Sequence, residues 1–170
     1  FPELLARLPR DAWRNVEALD SLPIDGRTVY VKPDLAFENP DDGTLWLVDW
    51  KTGSPRGADD FQVATYALFG QHKWGVEPGR ARGVLVYLGT GEQKEFVLDS
   101  SALDGAKARI RASMGEMLAL LDDPGENLAR IDSFPQTEQR DRCARCDFKQ
   151  LCFGGAGVPG AALARDGLDP

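Results

Sequence analysis

Hydrophobic and polar positions change period several times along the chain, and each change predicts an element. Residues 1–8, with Leu4, Leu5 and Leu8, read as the tail of a helix that Pro9 breaks. Residues 13–22 are mixed and fit strand or helix. Between Ile24 and Val29 an Asp25-Gly26 pair sits among β-prone residues, which predicts a hairpin turn. Residues 28–38 alternate, with Val29, Val31, Leu35 and Phe37 on one face and Tyr30, Lys32, Asp34 and Glu38 on the other, as in one continuous strand. A turn-rich stretch from Glu38 to Gly43 leads to a further strand over 44–51, ended by Thr52-Gly53-Ser54-Pro55. Asp59 and Asp60 are candidate caps for a helix over 60–74. The apolar run 83–89 predicts a buried strand, and 93–98 a second one at an edge. Ser101 to Leu121 predicts the longest helix, whose Leu103, Ile110, Met114, Met117 and Leu121 form a core-facing stripe. Beyond Asp122 the chain reads as loop, and 154–170 as a flexible Gly/Ala-rich tail.

This order of strands and helices predicts one α/β domain over 1–153. With 170 residues and 42% hydrophobic content, the chain can build a core without disulfide or metal. It holds no apolar run long enough to span a membrane and no signal peptide, so the expected location is cytoplasmic. Twenty basic against 27 acidic residues give a net charge of −7, which argues against binding nucleic acid by bulk positive charge. A local basic track around an acidic, metal-loaded centre remains compatible with it. The first residue is Phe1 rather than Met, and the chain therefore reads as a piece of a longer protein.

Chemistry concentrates in two places. In the first, Asp49 and Lys51 lie two apart on a predicted strand, so both side chains point to one face. If strands 28–38 and 44–51 pair through their turn, Asp34 approaches Asp49. Two carboxylates and a lysine suit a hard cation, Mg²⁺ or Mn²⁺, beside a phosphodiester. An isolated Asp-x-Lys is more often a surface ion pair. Here a Pro-Asp at a suitable distance and the apolar frame of Leu45, Leu47 and Val48 favour the site.

Val31-Lys32-Pro33-Asp34 followed by Leu47-Val48-Asp49-Trp50-Lys51-Thr52-Gly53 resembles the signature of the PD-(D/E)XK nucleases, specifically the RecB-like branch. Gln62-Val63-Ala64-Thr65-Tyr66 is similar to that branch's Gln-x-x-x-Tyr helix, and its Gln62 and Tyr66 share one helix face. The resemblance implies a restriction-endonuclease-like core, a central mixed β-sheet flanked by helices in the order α-β-β-β-α-β. It implies that Asp34, Asp49 and the backbone carbonyl of Trp50 hold the metal. Lys51 would activate the attacking water and stabilise the transition state, while Gln62 and Tyr66 orient these groups or contact the DNA backbone. The branch commonly adds a His or Glu from an upstream helix. Glu17 lies upstream but reads as part of the first strand of the hairpin region, and His72 lies downstream.

The second place is Cys143-x-x-Cys146-x₅-Cys152. Thiolates this close suit a soft metal or an iron–sulfur cluster. The spacing resembles the C-terminal triplet of iron–sulfur RecB-like nucleases, including AddB-type and CRISPR-associated members, where a distant upstream Cys completes a [4Fe-4S] cluster. That fourth Cys is absent from this sequence. A zinc site using His72, or three reduced thiols, are the alternatives, and the cluster is favoured over both. Arg140, Arg142, Arg145 and Lys149 interleave with the cysteines and suit either a DNA backbone or a solvated loop.

Together these features predict a metal-dependent deoxyribonuclease, exonuclease-like, acting on DNA ends or single strands in repair or recombination. A helicase or another protein of a repair complex is the expected partner. The alternative is a catalytically weak DNA-binding or structural module of a larger helicase-nuclease or CRISPR-adaptation protein.

Overall fold

The structure, a computed structural model, describes residues 2–53 and 59–154. Residues group into two compact units, 1–115 and 116–170. The first is built on a five-stranded mixed sheet in the order β1-β4-β5-β6-β7, with β1 Trp13–Val16, β4 Leu35–Glu38, β5 Leu45–Lys51, β6 Ala81–Tyr87 and β7 Glu92–Val97. Every neighbouring pair is antiparallel except β5 and β6. Parallel neighbours need a crossover, and α2, Asp59–Trp74, supplies it. Strands β5 and β6 are central and covered, which is why Leu45, Leu47, Val48, Val84, Leu85 and Tyr87 read as near-continuous apolar runs.

Between β1 and β4 the chain inserts a two-stranded ribbon, β2 Asp20–Ile24 and β3 Arg27–Val31. Its turn is the expected Asp25-Gly26, with φ of 50° and 75°, the left-handed pair that a tight hairpin requires. Leu22, Ile24 and Val31 bury the inner face of the ribbon in the cluster that also holds Val63, Tyr66, Ala67 and Phe69 of α2 and Leu103, Ala106 and Ile110 of α3, Ser100–Ala119. Arg111 of α3 adds a two-pronged ion pair to Asp25 at 2.6 and 2.7 Å. On the other side of the sheet Leu35, Phe37, Val48 and Val84 form a second cluster. Leu5, the last residue of α1 (Pro2–Leu5), and Leu8 pack against it. One contact fixes a residue type: a Cβ at Gly83 would stand 2.8 Å from the branched Val63 side chain, so α2 lies against β6 only because this position is glycine.

The continuous strand expected over 28–38 is two strands. Pro33 has no N–H for a ladder, and the chain turns at Lys32-Pro33-Asp34, leaving β3 in the ribbon and β4 in the main sheet. Only the 35–38 half pairs with β5. Glu17 occupies a bend after β1 rather than a strand of the hairpin. The result is a restriction-endonuclease-like core: three antiparallel strands, a helix, then a strand parallel to the third.

Within the second unit, Met117 is exposed although the stripe of α3 predicted it as core. The expected loop contains two short helices, α4 Arg140–Ala144 and α5 Lys149–Phe153. Cys143 lies in the first and Cys152 in the second. Residues 155–170 of the predicted tail, and Ser54-Pro55 of the predicted strand terminator, lie outside the described residues.

Candidate active site

The end of β5 carries the site. Asp49 and Lys51 alternate onto the sheet face that α2 covers, together with Leu45 and Leu47. Antiparallel pairing sets Leu35 against Val48, so the next step of the register brings Asp34 to Asp49. Asp34 is anchored there, its Oδ2 accepting the Trp50 N–H at 2.8 Å. The carbonyl of Lys51 is taken by Leu88 N–H on the β6 side at 2.8 Å. Because the N–H and C=O of a strand residue leave by the same edge, the Trp50 carbonyl points to the Asp34 side, beyond the last β4 pair.

Helix α2 brings Gln62 and Tyr66 over this strand end, one turn apart. Gln62 Nε2 donates to Asp49 Oδ1 at 2.8 Å and to Tyr66 Oη at 2.6 Å, while its Oε1 accepts from the Lys51 ammonium. This orientation of the amide is the one its neighbours demand, since a carboxylate needs a donor and an ammonium needs an acceptor. Tyr66 Oη also lies 3.3 Å from Asp49 Oδ1 and donates to the carbonyl of Lys32 at 3.2 Å. The five side chains predicted from the sequence therefore gather at one place.

Asp49 is 3% exposed. Burial pushes its carboxyl above the usual carboxylate range, opposed by the Lys51 ammonium and reinforced by the charge of Asp34. Burial likewise pushes the Tyr66 phenol up to about 12, so this group stays protonated and can only donate or accept a hydrogen bond. The Lys51 ammonium stands 2.7 Å from Asp49 Oδ2, close enough for an ion pair, yet that buried oxygen accepts no aligned hydrogen bond. A buried carboxylate oxygen of this kind, at a strand end whose register brings Asp34 alongside, fits a hard divalent cation. Mg²⁺ is commonly held by one or two carboxylates, its remaining positions filled by water and substrate phosphate. Among the described residues no three His, Cys, Asp or Glu side chains form a group that could hold a metal ion. Two carboxylates are thus what the described residues offer there.

That statement covers the cysteines too. Cys143 and Cys146 are partly buried, Cys152 is exposed, and all three are free thiols. Arg140 lies over the Phe153 ring and donates to Gln136, Lys149 donates to the Ala144 carbonyl, and Arg142 and Arg145 are arranged along the same short segment. Sequence reasoning missed two backbone contributions, the Trp50 amide that holds Asp34 and the Lys32 carbonyl that holds Tyr66. The only signal for them was Pro33, which deprives the corner of a donor of its own.

A family model described as the PD-(D/E)XK nuclease superfamily matches residues 3–153. No curated protein matches the sequence. Among 16 solved chains that match is one described as "Crystal structure of SSO0001", with 14% identity and a TM-score of 0.41. The match covers 85% of this chain and 62% of that one, so the chain spans less than two thirds of its length.

Proposed function

Since this chain belongs to the PD-(D/E)XK nuclease superfamily, we propose that it is a RecB-like deoxyribonuclease that hydrolyses phosphodiester bonds at DNA ends or in single strands. The observation that carries this reading is the buried Asp49 carboxylate, held between Lys51 and Gln62 with Asp34 beside it. Asp34, Asp49 and the Trp50 carbonyl would hold Mg²⁺ or Mn²⁺ in this reading, and the bound ion would supply Lewis-acid polarisation of the phosphate and of the attacking water. Lys51 places a positive charge where negative charge builds on the phosphate oxygens. Gln62 keeps that ammonium on the reactive side by accepting one of its protons and fixes Asp49 by donating to the opposite oxygen. Tyr66, protonated at working pH, ties both to the Lys32 corner.

The same reading makes Cys143, Cys146 and Cys152 three thiolates of a [4Fe-4S] cluster, on the strength of their spacing. It makes Arg140, Arg142, Arg145 and Lys149 contacts to the DNA backbone. It also places the protein in a repair or recombination complex beside a helicase, in the cytoplasm. The test offers labelled linear duplex, circular duplex and single-stranded DNA with Mg²⁺, Mn²⁺ or EDTA. Metal-dependent loss of the linear and single-stranded substrates, with circles spared, is the expected result. A folded protein that binds these DNAs without cutting them would favour the binding-module alternative.

A further inference from the structure

Asp34 is a metal ligand in the reading above, and the following inference rests on it. The corner that carries Asp34 cannot hold itself, because Pro33 lacks an N–H and is fully buried. The Trp50 N–H holds the Asp34 carboxylate, and the backbone of the corner is held from outside on two sides. Tyr66 Oη reaches the Lys32 carbonyl from α2. From the other side, the backbone N–H of Glu17 is shared between the carbonyls of Pro33 and Asp34, at 3.1 Å each.

Glu17 reaches them only in an unusual conformation. Its φ is 48°, the left-handed region that side chains other than glycine and asparagine seldom adopt. Bracketing it is Asn15, one of two buried polar side chains among the described residues. The Asn15 amide pairs with both backbone groups of Ala18: Oδ1 accepts its N–H at 3.1 Å and Nδ2 donates to its carbonyl at 3.2 Å. This closes residues 15–18 into a tight loop just after β1 and turns the Glu17 N–H toward the Asp34 corner. The Glu17 side chain takes no part. It is exposed and reaches only Lys32, at 4.0 Å.

We propose that Asn15 is a positioning residue for the metal centre: its loop locks the Glu17 N–H onto the Pro33 and Asp34 carbonyls and so fixes Asp34 for the cation. The Glu17 backbone does this work, not its carboxylate.

Mn²⁺ binding, followed by electron paramagnetic resonance, tests this without any cleavage. Circular dichroism and thermal unfolding identify the variants that are folded at the assay temperature. Removal of groups that orient a ligand typically weakens metal binding by about 10- to 100-fold, and Asn15→Ala should fall in that range while folded. Glu17→Gly keeps the N–H and adopts the left-handed conformation without strain, so its affinity should stay within about twofold of wild type. Glu17→Val, β-branched and averse to that conformation, should weaken binding as Asn15→Ala does. Wild-type affinity in folded Asn15→Ala and Glu17→Val overturns the proposal. So does a Glu17→Gly protein as impaired as Asn15→Ala, because the carboxylate would then be the active group. A wild-type protein that binds no Mn²⁺ overturns the metal reading itself, and with it this role for Asn15.

Discussion

Changing Gln62 to Glu alters one atom of the site and reverses its electrostatics. Gln62 Nε2 donates to Asp49 Oδ1 at 2.8 Å, and a glutamate would put a carboxylate oxygen there instead. Two unit negative charges 2.8 Å apart repel by about 6 kcal/mol at an effective dielectric of about 20. Relaxation and the partial exposure of residue 62 reduce this to about half, roughly 3 kcal/mol or about two pK units. Asp49 is already pushed up by burial, so the two carboxyls hold a shared proton to higher pH than Asp49 does beside Gln62. The sign follows from linkage. A carboxyl whose folded-state pKa is raised costs nothing where it is protonated in both states, and the penalty grows as pH rises through the raised value. Gln62→Glu should therefore unfold close to the wild-type temperature below about pH 4, where the carboxyls are protonated in both states, and fall several degrees below it at pH 8. Gln62→Leu loses the same contacts without adding charge, and its deficit should be similar at both pH values. Thermal unfolding across that range checks the reasoning, and a Gln62→Glu deficit independent of pH would refute it.

Three further outcomes follow from the same geometry. Asp49→Asn removes a buried charge whose ionised form is unfavourable in the fold, so as pH rises and the wild-type carboxyl ionises, the variant's unfolding temperature should equal or exceed wild type, while Mn²⁺ binding by paramagnetic resonance is lost. Gly83→Val drives a branched side chain into Val63, 2.8 Å from the first added carbon, and chemical denaturation should show a loss of about 1–3 kcal/mol or more. Tyr66→Phe leaves the Lys32 carbonyl and Gln62 each short of a partner, which should cost about 1–2 kcal/mol in the same assay and slow turnover without changing the metal requirement.

Local signals carried most of the fold. The Asp25-Gly26 turn, the apolar runs of β5 and β6 and the Gln62–Tyr66 spacing each depend on neighbours in the chain, and each appears as expected. The strand over 28–38 failed for an instructive reason. Its alternation continues unbroken across Pro33, but Val31 is buried in the cluster with α2, whereas Leu35 and Phe37 are buried on the opposite side of the sheet. Period-2 spacing records burial, not which core does the burying, and the chain changes sides at the proline. The Asn15 loop and its grip on the Asp34 corner were invisible because they depend on pairing β1 with a strand some twenty residues later. Helices α4 and α5 were missed because five residues, little more than one turn, are too few to show a helical period. Asp49 and Lys51 were legible from strand spacing, Asp34 from the expected pairing of its strand with theirs, and Gln62 and Tyr66 from the resemblance of their helix to the family's Gln-x-x-x-Tyr segment. Which oxygen meets which donor was not.

The central claim is that Asp34, Asp49 and Lys51 form a metal-dependent phosphodiesterase centre. Its most direct test is cleavage of end-labelled single-stranded DNA by wild type and by Lys51→Ala, each with Mg²⁺ and with EDTA. Loss of a positioned transition-state donor costs about 10²- to 10³-fold in turnover. The account predicts Mg²⁺-dependent cleavage by wild type, abolished by EDTA and reduced by at least that factor in a Lys51→Ala protein with unchanged circular dichroism. Cleavage that survives EDTA, or a Lys51→Ala protein as active as wild type, would contradict it.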